Sequence, residues 1–358
     1  MNSAHSVPAR YWHAVSDDRL QCDVCPRYCR LGDGQRGLCF VRARDGDHMV
    51  LTTYGRSSGF CIDPIEKKPL NHFYPGTPVL SFGTAGCNLT CKFCQNWSIS
   101  KAREVDLLNS EASPERIANV AHSLGVRSVA YTYNDPVIFL EYAVDTAIAC
   151  RTKGLKNVAV TAGYVAPEAR AEFFHHMDAA NVDLKGFTED FYYHVCGGSL
   201  APVLDTLVYL KHQTSVWFEI TTLLIPGQND SDAELTALSK WIVAELGVDV
   251  PLHFSAFHPD WKMTDIAATP AETLSRARTI AKECGVHHVY TGNVHDDTGG
   301  STWCSSCGTK LIGRDWYELT SWDVTPHGAC PKCGTPVPGH FEARPGTWGR
   351  KRQPVQMT

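Results

Sequence analysis

Apolar and polar positions between residues 76 and 298 follow two alternating patterns, short apolar runs and longer helix-like segments. The short runs are rich in β-branched residues and lack strict apolar–polar alternation, which is typical of strands buried on both faces of a parallel sheet. The longer segments predict helices. One of them opens with Ser113, Pro114 and Glu115, so that a serine caps the helix and a proline occupies its first turn.

This pattern predicts an α/β fold built from repeated strand–helix units. The predicted strands are residues 79–82, 126–133, 157–161, 181–185, 216–224 and 252–257, and the predicted helices begin at 113 or span 137–151, 167–177, 202–212, 232–246 and 270–284. Repeats of this length fit a full or partial α/β barrel or an open doubly wound sheet. In parallel barrels, catalytic groups gather at the carboxyl ends of the strands.

The two ends of the chain differ from this central part. Residues 1–75 and 299–358 have less helical pattern, and each contains four clustered cysteines. We therefore expect an N-terminal cysteine module with a connector (1–75), an α/β core (76–298) and a C-terminal module (299–358). The start of the chain lacks an apolar signal-like segment, so most of the 15 cysteines indicate metal ligands rather than disulfides. The four unclustered ones, Cys61, Cys150, Cys196 and Cys284, are expected to be ordinary buried or partly buried residues.

The charge distribution limits the partners. The formal net charge is −5 and the basic residues are dispersed, so the chain has no footprint for nucleic acid. No run approaches the roughly 20 apolar residues of a membrane span. We expect a cytoplasmic protein with neither a nucleic-acid nor a membrane partner.

The most specific motif is Cys87-x3-Cys91-x2-Cys94, in which Phe93 precedes the last cysteine. It follows the first predicted strand and a pair of glycines, so it lies on a loop at a strand end. Each iron of an iron–sulfur cubane needs one ligand, and three thiolates leave one iron without a protein ligand. An open coordination position distinguishes a site that binds a substrate from a purely structural one.

This loop resembles the cluster loop of the radical S-adenosylmethionine (SAM) superfamily. The resemblance implies a 4Fe–4S cluster whose open iron binds SAM, and a reductive cleavage of SAM that gives a 5′-deoxyadenosyl radical. It also selects a partial (β/α)6 barrel among the folds above. A reducing partner such as flavodoxin or ferredoxin is implied as well.

The resemblance assigns roles to several residues at strand ends. Asn134 and Asp135 occupy the place of a SAM-binding motif, and the carboxylate would pair with the SAM ammonium; the alternative is a helix cap before Pro136. Asp183 and Lys185 are implied at the SAM carboxylate, against the alternative of a surface salt bridge. Lys185 and His258 are the candidate catalytic residues, and Phe93 a candidate cofactor contact. Weaker candidates, which fit core packing equally well, are Thr161, Glu219, Thr221, Gln95, Asn96 and Trp97.

Two further groups of cysteines flank the core. Cys304, Cys307, Cys330 and Cys333 form two C-x2-C knuckles, each followed by glycine, and predict a zinc-ribbon-like module with four-thiolate zinc; rubredoxin-like iron is the competing occupant. Cys22, Cys25, Cys29 and Cys39 are less regularly spaced. They could hold structural zinc or a second cluster that relays electrons inward.

The order of motifs along nearly the whole chain resembles the radical SAM enzymes of the AmmeMemoRadiSam system, which are related to pyruvate formate-lyase activating enzymes. That resemblance implies Memo-type and Ammecr-type partner proteins but no particular substrate. Two alternatives stay open: a glycyl-radical activating enzyme, and a metal-bound scaffold without catalysis.

Overall fold

The N-terminal part of the protein consists of small antiparallel sheets. The computed structural model describes residues 6–101, 108 and 110–357. The strands of the first part are β1 (Val7–Pro8), β2 (Trp12–Ser16), β3 (Arg19–Cys22), β4 (Arg30–Leu31), β5 (Arg42–Asp45), β6 (His48–Leu51) and β7 (Arg56–Ser57). One sheet has the order β2-β3-β4 and another the order β1-β6-β5. Among the described residues no α-helix lies between β1 and β7 in the chain, in agreement with the sparse helical pattern of this part.

The centre of the molecule is a nine-stranded sheet. Eight of its strands are β8 (Phe60–Pro64), β9 (Pro78–Phe82), β11 (Ser128–Tyr131), β12 (Lys156–Thr161), β13 (Ala179–Asp183), β14 (Trp217–Leu224), β15 (Leu252–Ala256) and β16 (Val289–Gly292), and the ninth comes from the C-terminal part. Strand β10 (Ser110–Glu111) lies outside this sheet and pairs with β7. The strands β9 and β11 to β16 are parallel and lie side by side in chain order. Their carboxyl ends therefore share one edge of the sheet.

Helices connect the parallel strands, as the sequence pattern predicts. They are α1 (Trp97–Ser100), α2 (Pro114–Ser123), α3 (Leu140–Thr152), α4 (Pro167–His175), α5 (Glu189–Phe191), α6 (Ala201–Gln213), α7 (Asp232–Trp241), α8 (Ala271–Glu283) and α9 (Asp297–Gly300). Ser113 caps α2 by accepting a hydrogen bond from the amide of Arg116. Two predicted helices change type along their length: a 3-10 turn (Pro136–Phe139) precedes α3, and a π-helix (Ile242–Leu246) continues α7.

The sheet has more strands than the six of the predicted partial (β/α)6 barrel. All six predicted strands are present, but β16 adds a seventh parallel strand, which is only four residues long and gives a weak pattern. The antiparallel β8 extends the sheet beyond β9. In the described part of the chain β16 has no second neighbour, so the sheet is open at that edge.

The C-terminal part returns to the main sheet after forming a small module. Strands β17 (Thr302–Trp303), β18 (Lys310–Asp315) and β19 (Glu318–Trp322) form a separate sheet, and β20 (Gln353–Val355) then pairs with β8. The division of the chain at residues 75 and 299 stays a prediction. The nine-stranded sheet takes β8 and β20 from outside the predicted core.

None of the helices in the described residues is long and apolar enough to span a membrane.

A buried ion pair attaches the N-terminal part to the core. The guanidinium of Arg42 donates two hydrogen bonds to the carboxylate of Glu141 in α3, at 2.8 and 2.9 Å. Both residues are at most 3% exposed, and the amide of Arg10 also donates to Glu141, at 2.6 Å. Burial raises the pKa of Glu141, but Arg42 outweighs it, so that the pKa lies below its ordinary value. The pair is buried with most of its donors and acceptors satisfied.

Replacing Glu141 with Gln should destabilise the protein by about 3–5 kcal/mol, because the Arg42 charge would stay buried without its counter-ion. Urea denaturation of the purified protein measures this loss. Glu272, an exposed carboxylate in the first turn of α8, provides the matched control, since Glu272→Gln should cost less than about 1 kcal/mol. Equal effects of the two variants would show that the Arg42 pair does not hold the N-terminal part in place.

Candidate functional site

One large cavity lies at the carboxyl ends of the parallel strands. Its volume is about 1010 Å³. The groups that line it from the ends of β9, β11, β12, β13, β14, β15 and β16 include Cys87, Cys91, Phe93, Cys94, Asn134, Asp135, Thr161, Asp183, Lys185, Thr221, His258 and Asn293. The predicted cysteine loop and all the predicted SAM contacts thus surround a single space, as expected for a parallel sheet.

The backbone of the cysteine loop is held by the side chain of Asn134. Its amide nitrogen donates to the carbonyl oxygens of Ala85 and Gly86, at 3.2 and 2.9 Å, and its oxygen accepts from the amide of Thr84 at 3.2 Å. Asn134 is 6% exposed. Its contacts fix the start of the loop on the end of β11. Its predicted contact with the cofactor stays a prediction.

A second support comes from the π-helix Tyr192–Cys196, which follows β13 and α5. The amides of Thr90 and Lys92 donate to the carbonyl oxygens of Cys196 and Val195, at 2.9 and 3.0 Å. The thiol of Cys196 also interacts with that of Cys91. The sequence pattern treats Cys196 as an isolated core cysteine. Its contact with the loop depends on residues about a hundred positions apart, and no local signal reveals it.

The three thiols of the loop fit an iron–sulfur cluster. All three line the cavity, and Cys94 Sγ lies 2.9 Å from the hydroxyl of Ser100. The interaction with Cys196 lowers the pKa of Cys91, and the nearby Lys185 and Lys101 lower it further. Burial and the charge of Asp135 raise the pKa of Cys87 to about 11. Cys196 is not among the residues lining the cavity, so the loop offers three thiolates there and leaves a fourth position open.

Asp183 and Lys185 form an ion pair inside the cavity. The Lys185 ammonium lies 2.9 Å from the Asp183 carboxylate, and the two side chains are 16% and 34% exposed. Burial lowers the pKa of Lys185, but Asp183 and the thiols of Cys91 and Cys196 outweigh it and raise the pKa well above its ordinary value. Because β13 ends at Asp183, Lys185 lies just beyond the strand rather than on it. The pair is part of the cavity wall and not a surface salt bridge.

Asp135 caps the turn that begins at Pro136, which confirms the alternative interpretation of this residue. Its carboxylate accepts from the amide of Val137 at 3.1 Å, the hydroxyl of Thr161 at 3.0 Å and the amide of Ala162 at 3.0 Å. Burial raises its pKa despite these hydrogen bonds. A carboxylate has about four acceptor positions, so these contacts leave roughly one free for a ligand. Its role in binding SAM stays a prediction.

Glu219 is a buried anchor rather than a cavity residue. Its carboxylate accepts from the amides of Asn71 and His72, at 2.9 and 2.7 Å, and lies 2.7 Å from His253 Nε2. Burial raises its pKa, but His253 and His72 bring it below the ordinary value. Glu219 therefore ties the connector to β14. The interpretation of Glu219 as a satisfied core group is confirmed.

The other candidates around the cavity are more exposed. His258 follows β15, lines the cavity and is largely exposed. Gln95 and Asn96 also line it, whereas Trp97, the first residue of α1, is 45% exposed and is not among the lining residues. The roles of His258 and Phe93 stay predictions.

The sequence pattern misses the far wall of the cavity. That wall comes from the connector (residues 63–76), the segment after β11 and the C-terminal part, and it includes Lys67, Lys68, Tyr133, Arg314, Tyr317 and Arg352. Lys68 donates to the buried carboxylate of Asp63 at 2.7 Å, and the Tyr133 hydroxyl donates to it at 3.1 Å. Tyr133 has a φ of +71°, a strained value for a residue with a side chain, and such strain is common at functional sites. The related signal in the sequence is the density of proline, lysine and aromatic residues in the connector, which is typical of a docked segment rather than a free linker.

The C-terminal cysteines form a compact group that could hold one metal ion. The sulfur atoms of Cys304, Cys307, Cys330 and Cys333 all lie within 4.8 Å of one another. The glycines after the knuckles, Gly308 and Gly334, have φ values of +69° and +75°, which confirms the predicted need for glycine. Four thiols at this spacing suit one tetrahedral ion. The identity of the ion as zinc stays a prediction, and so does the ribbon class of the module.

The N-terminal cysteines surround a separate small cavity of about 20 Å³. This cavity lies on the other side of the cysteine loop, because Asn88 of that loop also lines it.

Comparisons with known proteins give one family match and several similar proteins. Residues 82–238 match the model of the radical SAM superfamily. An uncharacterized protein of Methanocaldococcus jannaschii is 40% identical over 331 residues, which span 92% of this chain and 98% of that protein. A radical SAM methyltransferase from Sphaerobacter thermophilus is 14% identical with a TM-score of 0.49, and the match covers 86% of this chain and 81% of that structure. A domain of a pyruvate-formate lyase-activating enzyme from Bacteroides vulgatus ATCC 8482 is 16% identical with a TM-score of 0.41, covering 46% of this chain and 99% of that domain.

The α/β fold, the three-thiol loop and the matched range define an enzyme of the radical SAM class. Residues 82–238 form a radical SAM domain. The chain as a whole belongs to the family of the M. jannaschii protein.

Substitution of Cys330 by Ser should remove one metal ion per chain and loosen the small core around Leu311 and Ile312, because the closed site needs all four thiolates. Metal analysis by mass spectrometry measures the ion. Cys284, which belongs to no cysteine group, supplies the control Cys284→Ser with unchanged metal content. Full metal retention in Cys330→Ser would show that the group binds no ion.

Proposed function

We propose that the protein reductively cleaves SAM at a 4Fe–4S cluster bound by Cys87, Cys91 and Cys94, and directs the resulting 5′-deoxyadenosyl radical to a substrate in the same cavity. One observation carries this proposal. Of the described cysteines, three line one cavity, and the Asp183–Lys185 pair lines the same cavity. When bound, the cluster would supply the electron that breaks a carbon–sulfur bond of SAM.

The residues around the loop would bind and orient SAM. Lys185 would donate a charge-assisted hydrogen bond to the SAM carboxylate, and Asp183 would accept from its ammonium or hold a cation. Asp135 has one acceptor position left for the ammonium, while Asn134 would act by holding the loop backbone. Phe93, whose ring lies 5.9 Å from the Lys185 ammonium, would limit the movement of that side chain. His258, exposed at the cavity wall, would be available for proton transfer to or from the substrate.

The size and far wall of the cavity support a small substrate. Ligand pockets usually measure roughly 300–1,000 Å³, so a cavity of about 1010 Å³ has room for SAM and a second small molecule. Arg314, Tyr317 and Arg352 line the side contributed by the C-terminal part. Two guanidinium groups and a phenol on that side would suit a small polar molecule, and a glycyl-radical activating enzyme stays the alternative.

The partners follow from the chemistry and from the resemblance. A one-electron donor of the flavodoxin or ferredoxin class would reduce the cluster. Memo-type and Ammecr-type proteins are proposed partners because the order of motifs resembles the AmmeMemoRadiSam enzymes. Zinc is the proposed occupant of the C-terminal group, with a structural role.

Replacing Cys91 with Ala should abolish SAM cleavage and lower the iron content by about four per chain, because the cluster loses one of three ligands. Anaerobic reconstitution followed by iron analysis and by chromatography of 5′-deoxyadenosine under dithionite tests this. The metal of the C-terminal group should stay, and Cys284→Ser should behave as the unchanged protein. Undiminished 5′-deoxyadenosine in Cys91→Ala would contradict the proposal.

Replacing Lys185 with Met should weaken SAM binding by about 1.5–3 kcal/mol, or about tenfold and more, because a charge-assisted hydrogen bond is lost. Equilibrium dialysis of SAM against the reconstituted protein measures the dissociation constant. Lys153, an exposed lysine just after α3, supplies the control Lys153→Met. Unchanged binding by Lys185→Met would remove this residue from the proposed SAM site.

A further inference from the structure

The four N-terminal cysteines converge directly behind the cysteine loop. Cys22, Cys25, Cys29 and Cys39 all line the small cavity, together with Asn88 of the loop. The side-chain oxygen of Asn88 lies 3.8 Å from Cys87 Sγ. One residue therefore separates the N-terminal thiols from the proposed cluster site.

Close backbone contact fixes this arrangement. Gly86 has a φ of +81°, and a β-carbon at this position would collide with the carbonyl oxygen of Cys39. Arg27, between two of the N-terminal cysteines, donates from Nε to the carbonyl oxygen of Asn88 at 3.0 Å. The N-terminal site and the cysteine loop thus touch through main-chain atoms on both sides of Cys87.

The two four-cysteine groups differ in the distances between their sulfur atoms. The C-terminal sulfurs all lie within 4.8 Å of one another, but no three of the N-terminal sulfurs, which are all among the described residues, meet that distance. A single ion draws four thiolates to about 2.3 Å from one point, so their sulfurs must lie close together. In a cubane each thiolate binds a different iron, which keeps the sulfurs farther apart.

Two buried donors point to a missing acceptor at this site. Arg42 Nε and Arg27 Nη2 are buried and have no oxygen or nitrogen acceptor among the described residues. Both side chains line the cavity, where Arg42 interacts with the thiol of Cys22. Arg42 is 2% exposed and interacts electrostatically with Cys22 and Cys39. Sulfide and thiolate sulfurs of a negatively charged cluster would accept from such donors, and these hydrogen bonds tune its potential.

The site is buried toward the loop and open toward the surface. Cys22 and Cys39 are each 7% exposed, whereas Cys25 and Cys29 are half-buried beside the exposed Tyr28. An electron donor could therefore approach this site at Cys25 and Cys29, on a different face from the cavity that Cys87 lines.

We propose that Cys22, Cys25, Cys29 and Cys39 bind a second iron–sulfur cluster that passes electrons to the cluster at Cys87. The role as a relay rests on the proposed function; the metal content does not. One electron leaves a reduced donor of the flavodoxin or ferredoxin class, which is oxidised, and reduces the second cluster. The second cluster then returns to its oxidised state as the electron moves past Asn88 to the loop cluster, with no bond made or broken.

Metal analysis of the full chain after anaerobic reconstitution tests the site. The unchanged protein should hold about eight irons, and both the double variant Cys25→Ser/Cys29→Ser and the variant Cys91→Ala should hold about four. Cys284→Ser is the control with unchanged iron. Four irons in the unchanged protein with two zinc ions, or none in Cys91→Ala, would overturn the proposal. The Cys91→Ala result keeps the test valid if the double variant does not fold.

Electron delivery tests the relay. In Cys25→Ser/Cys29→Ser, 5′-deoxyadenosine formation driven by reduced flavodoxin should be lost, while formation driven by dithionite should persist, because this small reductant reaches the loop cluster directly. Equal rates with flavodoxin in variant and unchanged protein would overturn the relay. Absence of cleavage in the unchanged protein with full iron would instead contradict the proposed function, and the iron counts would still decide the second cluster.

Discussion

The cysteine loop depends on contacts of its backbone with three distant parts of the chain. Asn134 holds its beginning, the carbonyl oxygens of residues 195 and 196 hold its middle, and Cys39 packs against Gly86 from the N-terminal side. A loop between a strand and a short helix has few internal hydrogen bonds, so these contacts set the directions of its sulfur atoms. The position of three thiols is thus a property of the whole sheet and not of the motif alone.

The connector and the C-terminal part belong to the same cavity. Glu219 binds the amides of Asn71 and His72, and Arg314 donates to the carbonyl oxygen of Asn71 at 2.8 Å. The segment after the C-terminal cysteines also pairs with the connector, where the amide of Tyr74 donates to the carbonyl oxygen of His340 at 2.7 Å. Breaking one of these buried contacts leaves a polar group unpaired, which costs more than the contact itself contributes. The far wall is therefore fixed relative to the strands that carry the thiols.

Local patterns predict the elements of this protein better than its contacts. The apolar runs locate six of the parallel strands, because buried strands need continuous apolar residues, while the short β16 escapes. The thiols and strand-end groups of the cavity could be predicted because each motif follows a strand. Three contacts could not be predicted, because each joins residues far apart in the chain. They are the hydrogen bond of Thr161 to Asp135, the ion pair of Arg42 with Glu141, and the interaction of Cys196 with Cys91. The far wall escaped prediction for the same reason.

The three cysteine groups differ in sulfur spacing and exposure, and these differences suit them to different functions. Three thiols that open into a cavity leave room for a substrate, whereas four thiols within 4.8 Å of one another leave none. The closed group still bears on the cavity, because β18 starts a few residues after Cys307 and ends with Arg314 and Asp315, which line the far wall. A metal that orders this module would hold Arg314 against the connector without touching a substrate. A site remote from the reacting atoms can in this way set the shape of the space in which they meet.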